Sequence, residues 1–360
     1  MNNNGKSSFL DNKKMVILCG AIIGFIAALL VKLGNPGNMG FCIACFERDI
    51  AGALGFHRAG VVQYMRPEII GLVIGAFLMA LFNKEYKSVS GSSPATRFLL
   101  SIAVMIGALM FLGCPLRMIL RLGGGDMNAI FGLVGFAVGI AIGVFFLNKG
   151  FNLKRNYKTS KHDGLILPVI MVILFAFLLV RPAFLFFSEK GPGALAAPIA
   201  ISLIAGLVVG ALAQKSRICM VGGIRDIILF KDNTLLLGFV AVFLFALIWN
   251  IAFGQFNFGF EGQPVAHTDA VWNALGMVLV GWGSVLLGGC PLRQLILSGE
   301  GNTDSVISVF GMIVGAAICH NLGLASSPAG PSANGKIAVL VCFGLVLGIS
   351  LLNSMSSKKA

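Results

Sequence analysis

Gly113-Cys114-Pro115-Leu116-Arg117 and Gly289-Cys290-Pro291-Leu292-Arg293 are the same pentapeptide, 176 residues apart. A second pattern repeats at nearly that offset. Cys42, five intervening residues and Arg48-Asp49-Ile50 return as Cys219, five residues and Arg225-Asp226-Ile227. Downstream, Gly123, Gly125, Gly135 and Gly139 match Gly299, Gly301, Gly311 and Gly315 without a gap. Two motifs in the same order at the same spacing mark a duplication. Each half carries two cysteines in polar breaks between apolar runs, an arrangement that points to a pathway through a membrane built around thiols.

Composition supports the membrane. The 360 residues are 57% apolar and 11% charged, with a mean hydropathy of +0.91, where a soluble domain carries roughly a quarter charged residues. Forty-seven glycines suit close helix packing in lipid. A net charge of +13 would suggest nucleic acid in a soluble protein. Here it reads as the Lys and Arg that gather in cytoplasmic loops, so no nucleic-acid partner is expected. Lys13-Lys14 before an apolar run resembles a secretory leader, but the repeat needs that helix, so a retained first span is expected. Cys19, Cys319 and Cys342 lie inside apolar runs and read as small hydrophobes.

The pattern predicts an all-α integral membrane protein with about ten spans: 15–33, 67–83, 97–112, 128–148, 164–187, 196–214, 234–255, 270–288, 304–323 and 336–353. Four polar-flecked segments are too short to cross: 40–56, 113–122, 217–230 and 289–299. Each starts near a cysteine and contains Arg, so each is expected to be a short re-entrant helix lining a protein cavity. With both termini in the cytoplasm, 18 of the 27 Lys and Arg fall inside and nine outside, the expected bias. Four spans form the first unit (15–148), and a basic loop with a connecting span follows (149–195). Four more spans form the second unit (196–323), and a last span closes the chain (336–353). Five spans separate equivalent points, an odd number, so the second unit is expected to be inverted, an architecture common among secondary transporters.

In Gly-Cys-Pro, proline suits the first helical position, which places Cys114 and Cys290 at helix caps facing the positive dipole end. A thiol there gains thiolate character. Arg117 and Arg293 follow by three residues, on the same helix face, and the set makes a candidate site for a small anion. The plainer alternative is a chain turn with cysteine as filler, and four cysteines in two symmetric pairs weigh against it. Arg48-Asp49 and Arg225-Asp226 read mainly as structural ion pairs, since charges at membrane depth are usually paired. Cys45 faces Gly222 in the alignment of the halves and has no twin; whether it pairs with Cys42 is left open, and so is the role of Arg121. Gly330 to Lys336 mimics a phosphate loop, but Ile337 stands where Ser or Thr must be. His57, His162, His267 and His320 form no metal spacing. No metal or cofactor is expected.

On these residues the chain resembles the YeeE/YedE family of bacterial inner-membrane proteins, over roughly residues 15–323. The resemblance rests on Cys42 with Arg48-Asp49, Cys219 with Arg225-Asp226, and the two pentapeptides. It implies an hourglass of spanning and short helices through which thiosulfate passes by transient S–H hydrogen bonds, with Cys42, Cys114 and Cys290 as relay thiols. It also implies a small cytoplasmic sulfur-carrier partner of the TusA type. Cys219 and the Cys42-x-x-Cys45 pair depart from the thiosulfate importers and lean toward a branch tied to selenium metabolism. The expected function is import of a small sulfur- or selenium-containing anion, without enzymatic activity. The alternative is a membrane sulfurtransferase that hands a persulfide to a carrier protein.

Overall fold

The computed structural model describes residues 3–356. Fourteen α-helices carry nearly all of its regular structure. In the first unit they are α1 (Asn3–Lys32), α2 (Ile43–Ala53), α3 (Pro67–Phe82), α4 (Pro94–Phe111), α5 (Pro115–Gly123) and α6 (Asn128–Asn148). α7 (Ile166–Val180) follows. The second set is α8 (Ile199–Ser216), α9 (Met220–Phe230), α10 (Thr234–Ala252), α11 (Ala270–Leu287), α12 (Pro291–Gly299) and α13 (Thr303–Asn321). α14 (Ala333–Ser356) ends the described chain. Among the described residues nine helical stretches are long and apolar enough to span a membrane, and the protein is an all-α, multi-pass membrane protein. The expected span at 67–83 is the 16-residue α3, short of the 18 residues or more that each of those nine stretches has. The expected span at 164–187 ends earlier, because Arg181 turns left-handed with φ 51° and stops α7. Lys358 and Lys359, which entered the charge bias and the placing of the C-terminus, lie outside the described residues, as does the side chain of Lys6.

The four short helices begin where the cysteine motifs predict. Proline at the first turn starts α3, α4, α5 and α12, where the missing N–H costs nothing. α11 and α13 are capped instead by Asp269 and Asn302, which accept from Trp272 N and Ser305 N. Glycine sets how closely the long helices approach. A methyl group at Gly135 or Gly139 would strike the α11 backbone at Ala274 and Val278, and one at Gly311 would strike the α4 backbone at Phe98. In lipid such small-residue stripes let helix backbones pack directly.

The packing partners come in matched sets. α1 packs on α10 and α3 on α8; α6 on α11 and α4 on α13; α5 on α10 and α12 on α3; α2 on α13 and α9 on α6. Exchanging α1–α6 for α8–α13 in order turns each pair into its companion. α7 and α14 stand outside this exchange, and both turn apolar side chains outward, among them Val172, Ile173, Leu340 and Val341.

The loops gather at two ends. At one, Asn257 N donates to Gly124 O (2.9 Å), Ser188 N to Gln63 O (2.9 Å) and Ala197 N to Asn35 Oδ1 (2.8 Å). At the other, Lys87 N donates to Glu300 O (3.0 Å) and Gly91 N to Asp304 Oδ1 (2.9 Å). A two-residue strand, β1 (Val89–Ser90), pairs there antiparallel with β2 (Tyr157–Lys158).

Candidate functional site

Each letter of the repeated pentapeptide has a physical job. Glycine comes first because the arginine stem folds back over it. A Cβ would meet Arg117 Cδ at 2.9 Å in the first copy and Arg293 Cγ at 2.8 Å in the second. Cysteine is the N-cap, with extended backbone at Cys114 (ψ 171°) and Cys290 (ψ 168°). Proline opens the helix, and Leu116 and Leu292, each 1% exposed, anchor it in the core. Cys42 and Cys219 are N-caps too. Their sulfurs accept from the backbone N–H three residues on, Cys45 N at 3.3 Å and Gly222 N at 3.4 Å.

The structure brings the four cysteines together in two pairs. The N-termini of α2 and α5 converge, so that Ile43 N, the residue after the Cys42 cap, donates to Cys114 Sγ at 3.3 Å. The N-termini of α9 and α12 converge in the same way, with Cys219 Sγ and Cys290 Sγ 3.8 Å apart. Each pair therefore sits between two positive helix ends, surrounded by backbone donors. Such a set of donors favours a soft, anionic guest over a cation. All eight cysteines are free thiols, and among the described residues no group of His, Cys, Asp and Glu could hold a metal ion.

The two arginines have different surroundings. Arg117 is fully buried and gives its donors to the carbonyls of Asn38 (3.2 Å), Leu112, Pro264 (3.3 Å) and Val265 (3.2 Å), and to Cys45 Sγ (3.6 Å). Arg293 is 13% exposed and pairs with Glu300 at 3.1 Å. Glu300 also meets Arg217, which reaches Glu85 at 2.7 Å. The first pair is thus tied to one loop end through Asn38, Pro264 and Val265, and the second to the opposite end.

A sulphur-transport family model matches residues 215–355, which contain Cys219, Arg225-Asp226 and the second pentapeptide. A thiosulfate transporter TsuA of Spirochaeta thermophila is 32% identical over 135 residues, 36% of this chain and 36% of that protein. One of Escherichia coli is 28% identical over 120 residues, 33% of each chain. Residues 215–355 are thus similar to a sulphur-transport family. The alignments span about a third of each relative's length.

The first thiol pair has a third cysteine beside it. Cys45 Sγ points at Leu112 O (3.8 Å) and at Arg117, and forms no disulfide with Cys42. Gly222 leaves this position without a side chain in the second pair. Arg48 and Asp49 are ion-paired at 2.7 Å and buried; Arg66 joins Asp49 at 2.7 Å and stacks over Phe46. Arg225 and Asp226 pair at 2.8 Å nearer the surface. Arg121 is paired with Asp126 at 2.6 Å, fully buried, bracing the turn into α6. Sequence reasoning did not single out Arg66, whose distance from Asp49 along the chain hides the pair. It also passed over Glu47 and Glu68, two buried acids that a single charged letter in a helix does not announce.

Proposed function

We propose that this chain imports a small sulfur- or selenium-containing anion, of the thiosulfate kind, along a path that passes the Cys42–Cys114 pair and then the Cys219–Cys290 pair. The observation that carries the reading is the duplicated thiol cradle: two cysteine pairs, each between converging helix N-termini, tied to opposite loop ends. A thiol is a weak donor, suited to a polarisable sulfur or selenium atom and poorly suited to the hard, strongly hydrated oxygens of sulfate. The relatives named as thiosulfate transporters support the same class of cargo.

In this reading the two sets of six helices are inverted repeats, with α7 as connector. The matched packing pairs support that arrangement. The end carrying Arg217, Glu85 and the Lys149–Asp163 loop faces the cytoplasm of a bacterial inner membrane, and both chain termini lie on that side. A TusA-like carrier would collect the cargo there. Arg117 and Arg293 supply positive potential; Arg48, Asp49, Arg225 and Asp226 hold the short helices in place.

The test is uptake of labelled thiosulfate and selenite into cells with and without the protein, with sulfate as competitor. Intact thiosulfate recovered inside, with weak competition by sulfate, is the expected result. A covalent sulfur adduct on Cys290 by mass spectrometry, with no intact anion crossing, would overturn import in favour of sulfur transfer.

A further inference from the structure

Glu47 lies on α2, five residues past the thiol cap Cys42. It is 1% exposed, and neither carboxyl oxygen has a hydrogen-bond partner in the protein. Its side chain borders a partly open cavity of about 300 Å³ lined by residues of α2, α3, α7, α12 and α13. The wall is apolar, with Ile69, Met171, Leu174, Leu295, Phe310 and Ile313 among its residues, and none of the four facing helices puts a charged or titratable side chain into it. On α2 itself, Arg48 is engaged by Asp49, and Cys45 turns to Leu112 and Arg117. Glu68, the other fully buried glutamate, is different: its Oε1 accepts from Asn35 Nδ2 (2.8 Å) and Ser202 Oγ (3.2 Å), joining α3 to its neighbours. A carboxylate without partners in such a wall is expensive, and the neutral acid is the form that the cavity tolerates.

We propose that Glu47 is a proton-binding site that couples anion uptake to proton entry, an inference that rests on the import reading above. Charge makes the demand. A dianion entering a cell is opposed twice over by an inside-negative potential, so uptake needs positive charge to travel with it. Glu47 offers a proton a place at membrane depth, on the helix whose N-terminus holds Cys42. Once charged, the carboxylate must leave these apolar surroundings or draw in water, and either event moves the element that carries the first thiol pair. Proton occupancy and anion occupancy are then two readings of one helix position.

The test uses the full-length protein in liposomes with labelled thiosulfate as probe. Under an inward proton gradient, wild-type accumulation should rise about tenfold per pH unit for each proton carried, and the lumen should acidify. Glu47→Gln should still exchange labelled for unlabelled thiosulfate but lose the gradient response; Glu47→Asp should keep it. An undiminished response in E47Q, or wild-type exchange that ignores the gradient, overturns the coupling and leaves import standing. Failure of wild type to exchange thiosulfate or selenite at all overturns import and the coupling with it. Infrared difference spectra of the purified protein give a readout independent of flux. Wild type should show a protonated-carboxyl band that E47Q lacks, and absence of that band overturns the proton site.

Discussion

Arg117 and Arg293 occupy the same place in two copies of one pentapeptide, yet their neighbourhoods have diverged. Around Arg117 the site is closed: the guanidinium is fully buried among carbonyls and the Cys45 sulfur, with no carboxylate in ion-pairing range among the described residues. Around Arg293 the site is partly exposed, Cys45 is replaced by Gly222, and Glu300 stands 3.1 Å from the guanidinium. The backbone device of two helix N-termini around a cysteine pair was kept in both copies, and the side chains around it changed. An uncompensated guanidinium in a low-dielectric setting attracts an anion strongly, whereas one already neutralised by a carboxylate holds it weakly. On the import reading, the first site captures and the second releases.

The thiols themselves should dominate. Cys114→Ala and Cys290→Ala should each slow thiosulfate uptake about tenfold or more, since one lost hydrogen bond near 1.4 kcal/mol already gives that factor. Cys42→Ala should come next. Cys319→Ala, buried among apolar side chains on α13, should stay within about twofold, because the exchange removes only one sulfur from a packed wall. Initial rates in cells rank the four. If C319A stopped uptake while C290A left it intact, the duplicated cradle would not be the path.

Folding should separate the arginines more sharply than flux does. Arg117→Gln strands several buried carbonyls, each costing about 1–3 kcal/mol when left without a donor. Arg293→Gln gives up a partly exposed pair, worth about 1 kcal/mol or less. Thermal unfolding in detergent should therefore drop well below wild type for R117Q and little for R293Q. Equal losses would mean that the two sites are structurally equivalent after all.

Much of this was legible in the sequence because repetition is a strong signal. The pentapeptides and the Cys-x5-Arg-Asp motif locate all four short helices, and Gly-Cys-Pro specifies a capped helix start in its own three letters. What the sequence did not show was partnership. Nothing local says that Ile43 N donates to Cys114, or that the four cysteines sort as 42 with 114 and 219 with 290, because that pairing depends on how α2 meets α5 and α9 meets α12. The partners of Arg117 are likewise carbonyls from 38 and 264–265, far apart along the chain. Carbonyls carry no residue identity, so pattern reading could not find them. Arg121 had an ion-pair partner only five residues away, but Asp126 lies past the helix end, where helical spacing rules give no guidance.

A subtler way to break the contrast is to make the first site resemble the second at one position. Cys45→Gly removes the extra sulfur beside Arg117 while leaving its carbonyl partners in place. If that sulfur tunes the site toward selenium, the ratio of selenite to thiosulfate uptake should fall by about two- to fivefold, the scale of one weak hydrogen bond of roughly 0.5–1 kcal/mol. An unchanged ratio would remove the third thiol as a reason to favour selenium.

The smallest expected effect lies at the more exposed end, in the ion-pair chain that Arg293 shares with Glu300, Arg217 and Glu85. The Glu85 carboxyl is held below the usual glutamate range, chiefly by the Gln214 amide (2.6 Å) and further by Arg217. A carboxyl lowered in this way adds stability at pH above its unfolded value and loses it as pH falls through its folded value. Acidification from neutrality to about pH 5 should therefore leave this contribution intact, and the loss should begin only below the ordinary glutamate range near 4.3. Glu85 is 41% exposed, so water and salt screen the pair and the loss should be small. Unfolding temperatures of wild type and Glu85→Gln, followed into acid, check the sign. The wild-type curve should be the steeper one below that range, and the difference should shrink in high salt. Parallel curves would show that the Glu85–Arg217 contact contributes nothing to closing this end, leaving Glu300 alone to distinguish the surroundings of Arg293 from those of Arg117.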